Sequence, residues 1–228
     1  PTIILIALMF ILIFLGIPIC FAFACVSIAG VFMIGSNPLN VVPQGLFGGM
    51  NSFTILAIPF FVFAGELMNY GGITKRLVRF STLIIGRMKA SLAQVNILAS
   101  MFFGGITGSA VADTSSIGGM LIPAMVEEGY DPDFSVAVTA SSSVIGPIIP
   151  PSIVMVVYGA TVNTSIGAMF MGGIIPGILV GLSLMAVVSC MSKTHDFPRR
   201  TEKFSRQEAL EISLGAIFPL GMPLIILG

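Results

Sequence analysis

The sequence predicts an all-α, polytopic membrane protein containing a re-entrant helical hairpin and a discontinuous helix. Three observations carry this. Mean hydropathy is +1.06; of the 228 residues 56% are apolar and only 9% charged, against roughly 25% charged in a soluble globular domain. The apolar stretch from Leu92 to Val126 is split in its middle by Gly104-Gly105-Ile106-Thr107-Gly108-Ser109-Ala110-Val111-Ala112-Asp113, a polar, glycine-rich tip where a membrane helix should be greasy. A second long apolar run is interrupted at Ser141-Ser142-Ser143-Val144-Ile145-Gly146-Pro147-Ile148-Ile149-Pro150-Pro151. Irregular backbone at membrane depth survives only where protein or a water-filled cavity surrounds it, because lipid offers no hydrogen bonds. Paired interruptions of this kind point to a transporter's ion and substrate site.

Taken in order, Ile3 to Ile34 exceeds the about 20 apolar residues a span needs and reads as one long span kinked at Pro18. It lacks the basic start and cleavage site of a signal peptide. Gly35 to Met50 reads as a loop, with turn signals at Asn37-Pro38 and Pro43. Asn51 to Met68 is the next span, interrupted by Pro59; Glu66 near its end is favoured as a solvated or capping carboxylate over a proton relay. From Ile73 to Lys89, Leu77, Phe80, Leu83 and Ile84 alternate at helical spacing with Lys75, Arg76, Arg79 and Arg87, the pattern of an amphipathic helix lying in the membrane interface. The interrupted segment Leu92 to Val126, the acidic loop Glu127 to Asp133, the interrupted segment Phe134 to Tyr158 and a span from Ile166 to Met191 follow. Gly173, Gly177 and Gly181 in that span favour close helix contact. The chain starts at Pro1 and stops at Gly228 inside an apolar run that begins near Ile212, and it reads as a fragment.

All ten Lys and Arg fall in two blocks, Lys75 to Lys89 and Lys193 to Arg206. Basic loops prefer the cytoplasmic side, so an even number of crossings should separate the blocks. With Leu92 to Val126 as a single span there would be three crossings. Two full spans restore parity, but each limb has only about 16 residues, roughly 24 Å of helix against a core of about 30 Å. A re-entrant hairpin that enters from the cytoplasm and turns at Ile106 to Ser109 fits both counts.

At the tip, Gly104, Gly105 and Gly108 permit positive φ and close backbone approach. Thr107 and Ser109 supply hydroxyls, and Ser109 is placed to cap the returning limb. Asp113 stands in the first turn of that limb, where the helix dipole favours a carboxylate; a capping or interior hydrogen-bonding role and a direct role in binding a cation or proton are equally weighted. In the second interruption Pro147, Pro150 and Pro151 lack amide hydrogens, which would free the carbonyls of Ser143, Gly146 and Pro147 in a helix. Those oxygens and the Ser141 to Ser143 hydroxyls suit a hard cation such as Na⁺. The free amides of a half-helix beginning near Ser152 suit an anionic substrate. A plain proline kink is the minority reading.

The runs Gly65-Glu66-Leu67-Met68-Asn69, Gly71-Gly72-Ile73-Thr74, Gly105 to Thr114, Ile122-Pro123-Ala124-Met125, Glu127 to Pro132 and Ser141 to Ser152 together resemble the large membrane subunit of the tripartite ATP-independent periplasmic (TRAP) transporters, over essentially the whole chain. The resemblance implies a Na⁺-coupled elevator mechanism in a bacterial or archaeal inner membrane. It also implies a small membrane subunit and a soluble periplasmic binding protein that delivers an organic acid, such as a C4-dicarboxylate or sialic acid. The family's large subunit has two inverted repeats and about twice this length, so the chain resembles the first repeat plus the start of the second. On that basis residues 1–70 are scaffold-type spans, 71–90 an amphipathic arm, and 91–191 half of a transport domain. That half comprises a hairpin 91–127, a broken helix 134–158 and a span 166–191. A cytoplasmic basic loop, 192–211, and the start of the second repeat, 212–228, complete the chain. The Na⁺ candidates are Gly105, Thr107, Gly108, Ser109, Ser143, Gly146 and Pro147. The substrate candidates are Ser109, Asp113, Ser141, Ser142, Pro150 and Ser152.

Rival readings are a stand-alone Na⁺/anion symporter without a binding protein, an intramembrane serine hydrolase using Ser109, and a purely structural subunit. The sole histidine, His195, lies in the polar 192–206 loop far from any membrane serine, so the hydrolase lacks a base, and no enzyme activity is expected. Neither an HExxH nor a Walker A motif occurs. Cys20, Cys25 and Cys190 have no ligand spacing and read as small hydrophobes, so no cofactor and no transition metal are expected. The balanced charge gives no sign of nucleic-acid binding.

Overall fold

The computed structural model of the chain describes residues 2–34, 40–51, 53–194, 197–198 and 204–227. Every regular element among them is helical. Two compact units emerge, Pro1–Ile55 and Leu56–Gly228.

The first unit holds α1 (Thr2–Phe14), α2 (Ile19–Ile34) and α3 (Val41–Met50). The single kinked span expected from Ile3 to Ile34 is instead two helices that fold back on each other. Gly16 adopts φ +83°, its N–H donates to Ile13 O at 3.0 Å, and the Ile17 N–H reaches back to Leu12 O at 3.1 Å. These are the paired bonds of a Schellman stop. Pro18, which cannot continue α1, opens the next helix: its carbonyl accepts from the Phe21 and Ala22 amides. The return brings Gly30 against Leu5, where an added Cβ would lie 3.3 Å from Leu5 Cδ1. The expected loop before Asn51 is also partly helical, because Pro43 falls in the first turn of α3, where its missing N–H costs nothing. The Asn37-Pro38 turn signal lies outside the described residues.

Helix α4 (Phe53–Tyr70), which lies in the second unit from Leu56 onward, continues through Pro59 and ends at Gly71-Gly72, with Gly72 at φ +74°. Helix α5 (Ile73–Ile85) buries Thr74, Leu77, Val78, Ser81 and Thr82 and leaves Lys75, Arg76 and Arg79 exposed. Its amphipathic character matches the sequence pattern. Its inner face, however, meets protein rather than open interface, packing on α6 (Ser91–Thr107) and α12 (Arg206–Leu227), with the Phe80 and Phe102 rings 5.9 Å apart. Helix α6 is the core of the unit, buried over most of its length.

The chain returns beside α6 through α7 (Ala110–Asp113), a π-helical turn at Thr114–Gly118, and α8 (Gly119–Glu127). Asp131 then caps α9 (Pro132–Ser143), accepting from the Asp133 and Phe134 amides at 2.8 and 3.2 Å. Residues 144–152 break the helix before α10 (Ile153–Val162), and α11 (Ile166–Thr194) follows. Among the described residues α11 alone is long and apolar enough to cross a membrane by itself.

This unit buries an apolar core, but two features depart from the soluble-protein pattern. Gln94, Asn96, Ser100, Asp113, Thr139 and Ser142 are completely buried, while Met171, Ile175, Leu179 and Leu182 on α11 are more than half exposed. An apolar exterior suits lipid, and buried polar groups serve to lock one helix to another there.

Candidate functional site

The two interruptions meet. Helix α6 stops at Gly108, which takes φ +61° and returns its N–H to Gly104 O at 2.9 Å. Ser109 is extended, and its Oγ accepts from the Ala112 N–H at 3.3 Å, capping the returning limb. The irregular tip is therefore only Gly108-Ser109. Gly104 and Gly105, read from the sequence as part of the opened tip, remain helical.

Gly104 serves close approach instead. A Cβ added there would lie 2.8 Å from Gly146 Cα and 3.2 Å from Gly146 N. One added at Gly146 would lie 3.3 Å from Ser109 O, and one at Gly108 would strike Pro151 O and come within 2.9 Å of Ser152 Cα. Hairpin tip and helix break thus touch main chain to main chain. The glycine stripe of α11 supports the break from behind: a Cβ on Gly173 would lie 2.5 Å from Ile148 O, and one on Gly177 would strike Ile149 Cγ1.

Within the break, the freed carbonyls are partly re-engaged. Ser143 O accepts from the Gly146 N–H at 3.1 Å, and Pro147 O accepts from Ser152 Oγ at 2.7 Å. Ser152 also accepts from the Met155 N–H at 3.2 Å and so caps α10. A carbonyl has two lone pairs, so each retains acceptor capacity. Pro150 is buried within the break, joined to Pro151 by a cis peptide.

Behind the junction, a ladder of polar side chains joins α6 to α9. Asn96 Nδ2 donates to Thr139 Oγ1 at 2.7 Å, Ser142 Oγ to Asn96 Oδ1 at 3.1 Å, and Ser100 Oγ to Ser142 Oγ at 3.2 Å. Asp113 ends this ladder. Its carboxylate stands beside Ser143 and Ser100, yet the well-formed bond of Ser143 goes to Thr139 O at 2.8 Å and that of Ser100 to Ser142. Neither Asp113 oxygen makes a well-formed hydrogen bond among the described residues, while the Ser143 and Ser100 hydroxyls stand within reach of its carboxylate, and the returning limb is capped by Ser109 rather than by Asp113. The π turn begins at the next residue, a local distortion frequent at functional sites.

Not every predicted residue is gathered here. Ser141 is exposed and lines an apolar crevice with Ile97, Phe134, Leu184 and Val188 between α9 and α11, apart from the junction. Asp113 and Ser142 are sealed and face each other's network rather than open space. His195 lies outside the described residues.

A cleft of about 190 Å³ flanks the tip, lined by Thr107 and Ser109, by Gly65, Glu66 and Asn69 of α4, and by Ser115 and Ser116 of the π turn. Asn69 fixes this corner, donating to Ser116 Oγ at 2.8 Å and accepting from Thr74 Oγ1 at 2.7 Å. Among the described residues Glu66 is the one charged group lining the cleft, so the cleft favours cations. The volume falls below the roughly 300 Å³ at which small-molecule pockets begin. Sequence reasoning missed Asn69, Asn96, Ser100 and Thr139; polar residues within apolar stretches were their signal.

Helices with exposed apolar flanks and buried polar side chains, broken face to face, place the chain in the class of helical integral membrane proteins. The profile of the family described as "Tripartite ATP-independent periplasmic transporter, DctM component" matches residues 6–228. The sialic acid TRAP transporter large permease protein SiaM of Vibrio cholerae is 40% identical over 217 residues, covering 95% of the chain and 51% of that relative. The 2,3-diketo-L-gulonate TRAP transporter large permease protein YiaN of Escherichia coli is 37% identical, covering 94% and 50%. The C4-dicarboxylate TRAP transporter large permease protein DctM of Vibrio cholerae is 36% identical, covering 98% and 50%. The chain belongs to the TRAP transporter large permease family, and it spans about half the length of these relatives.

Proposed function

We propose that the chain forms part of a Na⁺-coupled permease that takes up an organic acid across the inner membrane, the acid being delivered by a periplasmic binding protein. The observation that carries this reading is the main-chain contact of Gly104 and Ser109 with Gly146. A junction of two interrupted helices concentrates carbonyl and hydroxyl oxygens where apolar packing would otherwise be continuous, the chemistry a hard cation needs. In this reading Gly105, Thr107, Gly108, Ser109, Ser143, Gly146 and Pro147 bound the cation site. Asp113 supplies negative charge beside it, and the α10 start at Ser152 meets the acid.

The hairpin α6 to α8 enters the membrane from the cytoplasmic side and moves, as an elevator, with the broken helix and α11. Helix α5 links this body to the scaffold. A small membrane subunit completes the permease. Relatives are named for sialic acid, 2,3-diketo-L-gulonate, C4-dicarboxylates and isethionate, the first three carboxylates and the last a sulfonate, which supports an organic acid substrate here. The junction itself is built from main chain and carries no basic residue, since every Lys and Arg falls in the two blocks. It suits the cation these relatives would share better than the acids that distinguish them.

Uptake of labelled carboxylates into liposomes holding the complete permease and its small subunit tests this. The proposal requires uptake that needs both an inward Na⁺ gradient and a cognate binding protein. Na⁺-driven uptake without a binding protein would make the permease a stand-alone symporter instead.

A further inference from the structure

Two crevices open between α5 and α12, and they differ in charge. The first, about 290 Å³, is lined by Arg76 and Arg79 but also by Glu208 and Glu211, so its charges balance. The second, about 270 Å³, is lined by Arg87 and Arg206, with Ser205 and the apolar Leu83, Ile84 and Phe204, and among the described residues no acid lines it. Glu208, the nearest acid in sequence to Arg206, is engaged at the margin of this crevice: its carboxylate accepts from the Ser205 N–H at 2.7 Å, while Ser205 Oγ accepts from the Glu208 N–H at 3.2 Å, the reciprocal bonds of a capping box.

Two guanidinium groups at one crevice are an anion site, because each offers a planar fork that pairs with two phosphate oxygens. The walls identify the source. Ile84 is 53% exposed beside Arg87, and Met88 next to it is 40% exposed, so the arginines sit at the edge of an apolar surface rather than in a polar cup. Both belong to the basic blocks that prefer the cytoplasmic face, where anionic headgroups concentrate. We propose that this crevice binds the phosphate of an anionic phospholipid, its acyl chain lying along Leu83, Ile84 and Phe204. Such a lipid would bridge α5 to the start of α12, two helices that otherwise meet through the buried face of α5. The inference rests on the membrane setting of the chain and is independent of the ion site.

Native mass spectrometry of the complete permease with its small subunit, in detergent with added phosphatidylglycerol or phosphatidylcholine, tests it. Phosphatidylglycerol should be retained in clear preference to phosphatidylcholine. Arg87→Gln and Arg206→Gln should each weaken that retention about fivefold and the pair roughly 30-fold, the scale expected for single basic side chains near an anionic surface. The single exchanges keep the test valid if the double variant does not fold. Arg76→Gln, in the charge-balanced crevice, should leave retention unchanged. Equal retention of the two lipids, or retention indifferent to both Arg87→Gln and Arg206→Gln, overturns the proposal. Displacement of phosphatidylglycerol by millimolar inorganic phosphate also overturns it, in favour of a soluble anion.

Discussion

Substituting Gly104 by alanine probes the junction most directly, because one methyl group is placed between two backbones. Its Cβ would lie 2.8 Å from Gly146 Cα and 3.2 Å from Gly146 N, where carbon atoms rest at about 3.5–4.0 Å. Relief demands that hairpin and break separate by about 1 Å. No side chain can rotate out of the way, since the obstacle is main chain. Overpacking of this sort costs about 1–3 kcal/mol. A cation site tolerates ligand displacements of only about 0.2 Å, so ion binding should suffer more than folding. The expected outcome is a Na⁺ half-saturation for uptake raised at least about tenfold, equivalent to about 1.4 kcal/mol, with the thermal midpoint lowered by a few degrees. Gly119→Ala on the same hairpin, where nothing lies within 4 Å, is the control and should be neutral or slightly stabilising. Uptake by Gly104→Ala with wild-type Na⁺ dependence and wild-type thermal stability would refute the reasoning.

Three further outcomes follow from the same structure. Asp113→Asn removes a buried charge that makes no well-formed hydrogen bond and has the neutral Ser143 and Ser100 hydroxyls beside it, so thermal stability should hold or rise while Na⁺-driven uptake is lost; lower stability with normal uptake would assign Asp113 a packing role. On α11, Gly173→Ala should disrupt uptake more than Gly181→Ala. The first meets the Ile148 carbonyl at 2.5 Å, whereas the second meets only the flexible end of Met101, and a reversed order in paired uptake assays would contradict this. At α12, hydrogen bonds from the Ser205 backbone and hydroxyl hold the Glu208 carboxyl below the usual range. A depressed carboxyl contributes in full above its unfolded value and loses that contribution as pH falls through its folded value. The protection factor of the Ser205 amide, its exchange relative to the unfolded rate at the same pH, should therefore fall in acid in the wild type and be low at all pH values in Glu208→Ala; acid-insensitive protection would disprove the cap.

The sequence carried the interruptions plainly, because glycine, serine and proline in apolar runs violate what lipid permits. It was less able to say how far each interruption opens the chain. Gly104 and Gly105 look like tip residues by composition, yet only Gly108 takes positive φ; a helical glycine that admits a neighbour and a turn glycine that reverses the chain are the same letter. The reversal after α1 had its own signal in Leu15-Gly16-Ile17-Pro18, a glycine at the helix stop followed by proline. Reading Pro18 alone turned two helices into one.

What the sequence withheld was chiefly pairing. The α11 stripe announces a helix that something approaches closely, but that the partner is Ile148 and Ile149 of the break depends on contacts far apart along the chain. The polar ladder poses the same problem more sharply. Asn96, Thr139 and Ser142 each look costly within an apolar segment, and each becomes affordable only because the other two are present. That interdependence sets Asp113 apart. It stands at the end of the network with the Ser143 and Ser100 hydroxyls beside it, and neutral hydroxyls cannot supply the compensating charge that burial of a carboxylate calls for.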